Sequence, residues 1–291
     1  MDIGLIGFGG VGQALIKLLL EKKKYILKKY NLDVRVKYIV KSDGGIYESN
    51  GIDLEEIIEF INKNKSIKEH ISWKNYLSID EIIKNNDIDT LVELTPTNIE
   101  TGEPGLTYIK RALESGINVV TGNKGPIILK YKELKEIADK NSVKLKVGCT
   151  TGGALPSING GLYDVAGSEI QSIEGILNGT TNYILSKMAM EEVSYEEALT
   201  EAQKDGIAEV NPSLDVLGYD TACKIAILAN VLMDENVKLE DIKVQGITEV
   251  KLETMKRLQK ENKKLKLIGK VQREDNMVKA YRRSCLDASR Q

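Results

Sequence analysis

Near its N-terminus the chain reads IGLIGFGGVGQALIKLLLEKK. This is a buried-strand run, a glycine turn and an amphipathic helix with apolar positions at Val11, Leu15, Leu18 and Leu19. Gly7, Gly9 and Gly12 stand at G-x-G-x-x-G spacing. The first glycine permits the tight turn, the second lets a pyrophosphate approach the backbone, and the third lets helix and strand pack closely. Free N–H groups and the dipole at the helix start then favour an anion. A tight structural turn is the plainer reading. The strand before it, the helix after it and a further strand at VRVKYIV, 34–40, favour a dinucleotide cradle.

That further strand ends in Val40-Lys41-Ser42-Asp43. An acid there grips the ribose 2′-hydroxyl of NAD, and a base suits the 2′-phosphate of NADP. Lys41 favours NADP, and the nearby Asp43 leaves room for NAD. The alternation continues with a strand at 88–96, a helix at 105–116, a strand at 117–127 and a helix at 131–141. Such alternation specifies an α/β fold with a parallel sheet covered on both faces. Ligands of these sheets collect at the carboxyl ends of the strands, which places Thr95, Pro96, Asn123 and Lys124 beside the cofactor. Most lysines are solvated surface. Lys124, between Gly122 and Gly125 at a strand end, is read as functional.

A length of 291 residues accommodates two domains. A hydrophobic content of 42% supports a sizeable core, and 29% charged residues suit an ordinary aqueous surface. The net charge of -2 gives no electrostatic case for nucleic acid or an anionic membrane. Cys149, Cys223 and Cys285 are scattered and odd in number, so neither a disulfide framework nor a zinc motif is expected. The single histidine, His70, lies in a polar stretch near Trp73 and reads as surface or structural. A proton-transferring enzyme built from this chain must therefore use lysine, carboxylate or tyrosine. The start MDIGLIGFG has no signal-peptide pattern and no apolar run reaches membrane-span length, so a cytoplasmic protein is expected.

In the second half, KVGCTTGGALPSI (146–158) reads as a hinge between domains. ILNGTTNYIL (176–185) reads as a strand leading into a helix, where Asn178, Thr180 and Thr181 serve either a polar small molecule or a helix cap. Ser194 and Glu197 form a capping box for a helix closed by Gly206. Next comes GIAEVNPSLDVLGYDTACKIAIL, 206–228, with Pro212 in a turn and a helix beginning near Asp215 or Leu217. Asp220 and Lys224 are four apart and share a helical face. A surface salt bridge of about 0.3–0.5 kcal/mol would explain that pair. It leaves unexplained why Glu209 and Asp215 sit in the loop feeding the same helix.

These residues together resemble the homoserine dehydrogenase family. The resemblance runs from Met1 to about Leu267. It is carried by the glycine turn, T-x-N-K at 121–124, I-L-N-G-T-T-N at 176–182 and G-x-A-E-x-N-P-x-x-D-x-x-G-x-D-x-x-x-K at 206–224. It implies a Rossmann-type doubly wound parallel sheet in a dinucleotide-binding domain, 1–150, and an α+β substrate and dimerisation domain, 151–281. It also implies interconversion of L-homoserine and L-aspartate 4-semialdehyde with NADP or NAD, a place in threonine and methionine biosynthesis, and a homodimer. Lys224 matches the proton donor and acceptor at the substrate oxygen, and Lys124 a second lysine at the cofactor–substrate junction. Glu209 and Asp220 match positions holding the substrate's amino and hydroxyl ends, Asp215 a nearby carboxylate of that site, and Asn178 and Thr180 join them as substrate contacts. Gly7, Phe8, Gly9, Gly10, Val11, Gly12, Thr95 and Gly206 match cofactor contacts, beside Lys41, Pro96, Asn123 and Lys124.

Two departures from the family pattern stand out. Where members often carry a carboxylate or amide near a bound monovalent cation, this chain has Gly148. Backbone carbonyls near Thr151 and Gly153 remain for a cation, and no metal is assigned. Residues 282–291 hold three of the seven arginines, an atypical tail that suggests a truncated end and carries no readable function. No regulatory domain is expected after the matched region. A related dehydrogenase of another small aldehyde or amino acid, and a cofactor-binding but inactive form, are the alternatives.

Overall fold

The first strand, β1 (Asp2–Ile6), is apolar and buried and passes through the glycine turn into helix α1 (Gly10–Tyr30). Strands β2 (Arg35–Lys41), β5 (Thr90–Glu93), β6 (Asn118–Thr121) and β7 (Leu145–Lys146) run parallel to it. Two short antiparallel strands, β3 (Gly44–Tyr47) and β4 (Trp73–Asn75), complete one edge. The seven-stranded order is β4-β3-β2-β1-β5-β6-β7. The chain thus builds outward from β1 in one direction and then the other, which leaves a crevice at the carboxyl ends of β1 and β5. Helices α2 (Leu54–Asn62), α3 (Ile79–Asn85), α4 (Gly105–Glu114) and α5 (Lys124–Lys140) flank the sheet segments. Leu5, Ile16, Ile39, Ile46 and Ile57 are central to one core of this part. This computed structural model describes residues 1–63, 66–274 and 277–287, with side chains as far as Arg273.

The chain divides into two compact units, Met1–Thr150 and the part from Thr151 onward. The second opens with short α6 (Ser157–Asn159) and continues through β8 (Ser172–Gly175), α7 (Gly179–Glu191) and α8 (Tyr195–Lys204). Then follow α9 (Ser213–Val216), α10 (Tyr219–Leu232), α11 (Leu252–Lys260), β9 (Lys263–Glu274) and β10 (Met277–Asp287). The three strands pair antiparallel in the order β10-β9-β8. Helix α10 is apolar nearly all round, from Ala222 to Val231, as a helix inside a core must be. It approaches β9 so closely that a Cβ on Gly269 would lie 2.5 Å from Ile225 Cγ1.

Several expectations shift by local chemistry. The strand read over 117–127 ends at Thr121, because Asn123 caps α5 by accepting from Gly125 N at 3.1 Å. Pro126 is tolerated there, within the first turn, where its missing N–H costs nothing. The helix expected from 131 therefore starts at Lys124 and kinks at Lys130. The strand read into 176–177 stops at Gly175. The helix expected near Asp215 or Leu217 is two helices, broken at Gly218, whose φ of 89° belongs to the left-handed region. The tail residues 282–287 continue β10, opposite Gly269 to Lys263, with a shift of register between Arg283 and Cys285, while 288–291 lie outside the described residues.

Candidate active site

In the first unit, Gly7 adopts φ 98°, and a Cβ on it would lie 2.4 Å from the Leu94 carbonyl. A Cβ on Gly12 would lie 2.4 Å from Gly7 O, so the turn closes tightly beneath α1. Gly9 and Gly10 differ: a Cβ on either meets nothing within 4 Å. The fold itself does not need glycine there, and the open space lies over the start of α1, whose N-cap Gly9 offers no side-chain oxygen. A cradle that a Cβ would fill, at an uncapped helix start, fits a pyrophosphate. Around it is a cleft of about 420 Å³ lined by the Gly7–Gly12 turn, Lys41, Thr95, Pro96 and Tyr108. Ser42, Pro104 and Tyr108 join this lining without having been singled out in sequence. Asp43 is paired with Lys68, which holds its carboxyl below the usual range.

Asn123 and Lys124 follow β6. Asn123 is buried and spends its polar side-chain atoms inside the fold: Oδ1 caps α5, and Nδ2 donates to Glu93 Oε1 at 3.4 Å and Thr95 Oγ1 at 3.2 Å. It is a brace behind the cleft. Lys124 is the first residue of α5.

In the second unit the starts of α7 and α10 meet. Asn178 caps α7, its Oδ1 accepting from Thr181 N at 2.8 Å. Its amide nitrogen donates to Asp215 Oδ1 at 2.6 Å and to Asp220 Oδ2 at 2.9 Å. The sequence left a cap and a polar small-molecule contact as alternatives; Asn178 is the cap, and its amide also joins the two carboxylates. Asp220 lies in the first turn of α10, where the helix dipole favours a negative charge. Lys224, one turn on, donates to Asp220 Oδ2 at 2.8 Å and to Leu177 O at 2.6 Å. Side-chain exposures of 11% for Asp220 and 17% for Lys224 rule out a simple surface pair. Charges this withdrawn from water require partners, and each has them. These bonds occupy two of the three ammonium protons.

Asn178, Asp215, Asp220 and Lys224 are thus one hydrogen-bonded group. Glu209 is not joined to it: it is exposed on the loop before α9, and Gln203 Nε2 donates to its backbone carbonyl at 3.1 Å. Thr180 uses its hydroxyl to donate to Ile207 O at 3.1 Å and so braces that loop. Gly206, with φ 70°, ends the turn after α8. Among the described residues no group of three or more His, Cys, Asp or Glu is placed to hold a metal ion.

A glycine-turn crevice on a doubly wound sheet, with a lysine–carboxylate group in a following α+β unit, defines a nicotinamide-dependent oxidoreductase. Sequence models make the assignment particular. One described as the NAD-binding domain of homoserine dehydrogenase matches residues 7–148, and one described as homoserine dehydrogenase matches residues 156–286. The homoserine dehydrogenase of Methanocaldococcus jannaschii is 44% identical over 93% of this chain and 80% of its own. An NAD(+)-dependent homoserine dehydrogenase from Pseudomonas canavaninivorans is 34% identical over 92% of this chain and 76% of its own. Among solved structures, a hyperthermophilic archaeal homoserine dehydrogenase mutant in complex with NADPH superposes with a TM-score of 0.81 at 27% identity, covering 97% of this chain and 81% of that one. The chain belongs to the homoserine dehydrogenase family, whose NAD(P)-dependent reaction interconverts L-homoserine and L-aspartate 4-semialdehyde. A dehydrogenase of a different aldehyde is not favoured by these matches.

Proposed function

We propose that Lys224 is the proton donor and acceptor of this reaction and that Asp215, Asp220 and Glu209 hold the substrate's polar ends. The observation that carries the reading is the hydrogen-bonded group at the head of α10, with its ammonium fixed between Asp220 and the Leu177 carbonyl. Bound in the cleft, the nicotinamide cofactor supplies or accepts the hydride. The chain's own part is the proton and the charge. In reduction of the semialdehyde, negative charge develops on the carbonyl oxygen, and an ammonium within hydrogen-bond reach stabilises it and delivers a proton. In oxidation of homoserine the neutral amine takes that proton back. The carboxylates answer the α-ammonium of the amino-acid substrate. Lys124 is proposed as a second lysine at the cofactor–substrate junction.

Lys41, lining the cleft at the end of β2, supports a preference for NADP, since Asp43 is held by Lys68. A homodimer, a cytoplasmic location and a place in threonine and methionine biosynthesis complete the reading. No helix among the described residues is long and apolar enough to cross a membrane. The test is oxidation of L-homoserine followed by absorbance of the reduced nicotinamide, with NADP and NAD in turn, for the natural chain and Lys41→Ala. Activity with homoserine is expected, with Lys41→Ala raising KM for NADP more than for NAD. Equal effects on both cofactors remove Lys41 from the 2′-phosphate site.

A further inference from the structure

One wholly buried carboxylate has no role in the scheme above. Glu93 ends β5 and is 0% exposed. Its Oε2 accepts from Thr121 Oγ1 at 2.7 Å. Its Oε1 accepts from Thr95 N at 2.8 Å, from the Thr95 hydroxyl and from Asn123 Nδ2. Glu93 as a carboxylate only accepts, so the hydroxyl protons of Thr121 and Thr95 point to it. Thr121 Oγ1 in turn accepts from Asn123 N at 2.9 Å. Thr95 Oγ1 likewise accepts from Asn123 Nδ2 at 3.2 Å. Both donors of Thr95, its N–H and its O–H, are therefore spent on one carboxylate. A single lone pair of its oxygen is left, at a residue that lines the cleft.

We propose that Glu93 is a positioning residue that makes Thr95 an acceptor-only contact. This lip of the cleft then takes a hydrogen-bond donor of the dinucleotide, a sugar hydroxyl or the carboxamide N–H, and turns away phosphate. The sheet order indicates which half is meant. Lys41 and Ser42 follow β2, the glycine turn follows β1, and Thr95 follows β5 on the far side. An adenosine half on the β2 side and pyrophosphate at the turn leave the nicotinamide half for Thr95. The proposal rests on the cleft holding NAD(P).

Calorimetric titration separates the cases, with the nicotinamide-free fragments ADP and 2′,5′-ADP set against NAD and NADP. Thr95→Val, at a half-buried rim position, and Glu93→Gln are each expected to weaken the full dinucleotide about threefold to tenfold, the range of one hydrogen bond. Fragment affinity stays as in the natural chain, and Thr95→Ser restores full affinity. Parallel loss of fragment and dinucleotide binding in Thr95→Val, or unchanged binding of both, overturns the proposal, whether or not Glu93→Gln folds. A natural chain that binds neither class of ligand removes the cofactor reading itself.

Discussion

Lys224 is held by two acceptors of different kinds, a carboxylate on its own helix and a backbone carbonyl that precedes α7. That double tether fixes the ammonium's direction, which a lone i,i+4 pair on a mobile surface would not do. Lys224→Ala is expected to lower kcat by roughly a hundredfold to ten-thousandfold, the span of general acid–base catalysis. Cofactor affinity, measured by direct titration, should stay within about twofold, because the cleft lining of the first unit does not include this residue. An undiminished kcat would end its assignment as the proton-transfer group. Asn178 shows what sequence withholds at this scale. Its type announces a cap, and it is one. That the same amide also spans two carboxylates from α9 and α10 depends on a tertiary meeting that no local pattern encodes.

At the scale of elements, β1, its turn and α1 were legible because glycine spacing and strand-to-helix periodicity point to one answer. The start of α5 was not. Gly122, Gly125 and Pro126 look like breakers, and only the side-chain cap from Asn123 turns them into a first helical turn. Glu93 escaped for a related reason: an acid closing an apolar strand reads as the edge of solvent until its four donors are seen. The short edge strands β3 and β4 carry too few residues to show alternation. Tyr38 in β2 offers a test of an element's internal chemistry. Its hydroxyl donates to Asp87 Oδ1 at 2.8 Å and accepts from Asn85 Nδ2 at 2.8 Å, and its ring stacks on Tyr47. Burial, together with the Asp87 carboxylate, pushes the phenol pKa far up. A folded-state pKa raised above the unfolded value contributes stability that is complete below about pH 10 and is lost as pH rises towards the folded value. Tyr38→Phe should therefore be less stable at neutral pH by about 1 kcal/mol, and the gap should narrow above about pH 10. Urea midpoints of the two chains on either side of that pH measure it; a constant gap would show that the phenol does not titrate as described.

For the molecule as a whole, each unit carries its own core, one around Leu5, Ile39 and Ile57 and another around Ile184, Leu185 and Met188. The cleft at the glycine turn is lined by residues of the first unit alone. Nicotinamide dinucleotide at about a hundred times its Kd should stabilise whatever unfolds together with that unit by about 2.7 kcal/mol. Calorimetric scans with and without cofactor read the shift. If the units melt separately, the transition that moves should be the one whose midpoint also responds to Tyr38→Phe. A cofactor-induced rise in a transition indifferent to Tyr38→Phe would place the binding site elsewhere.

The emptiness above Gly9 and Gly10 has a corollary for anyone screening variants of this chain. A methyl group there strikes no protein atom, so an alanine would pass expression, solubility and proteolysis screens unnoticed while closing the door to the ligand. Damage at those two positions is invisible to every assay of folding, and only a measurement that asks for the dinucleotide will register it.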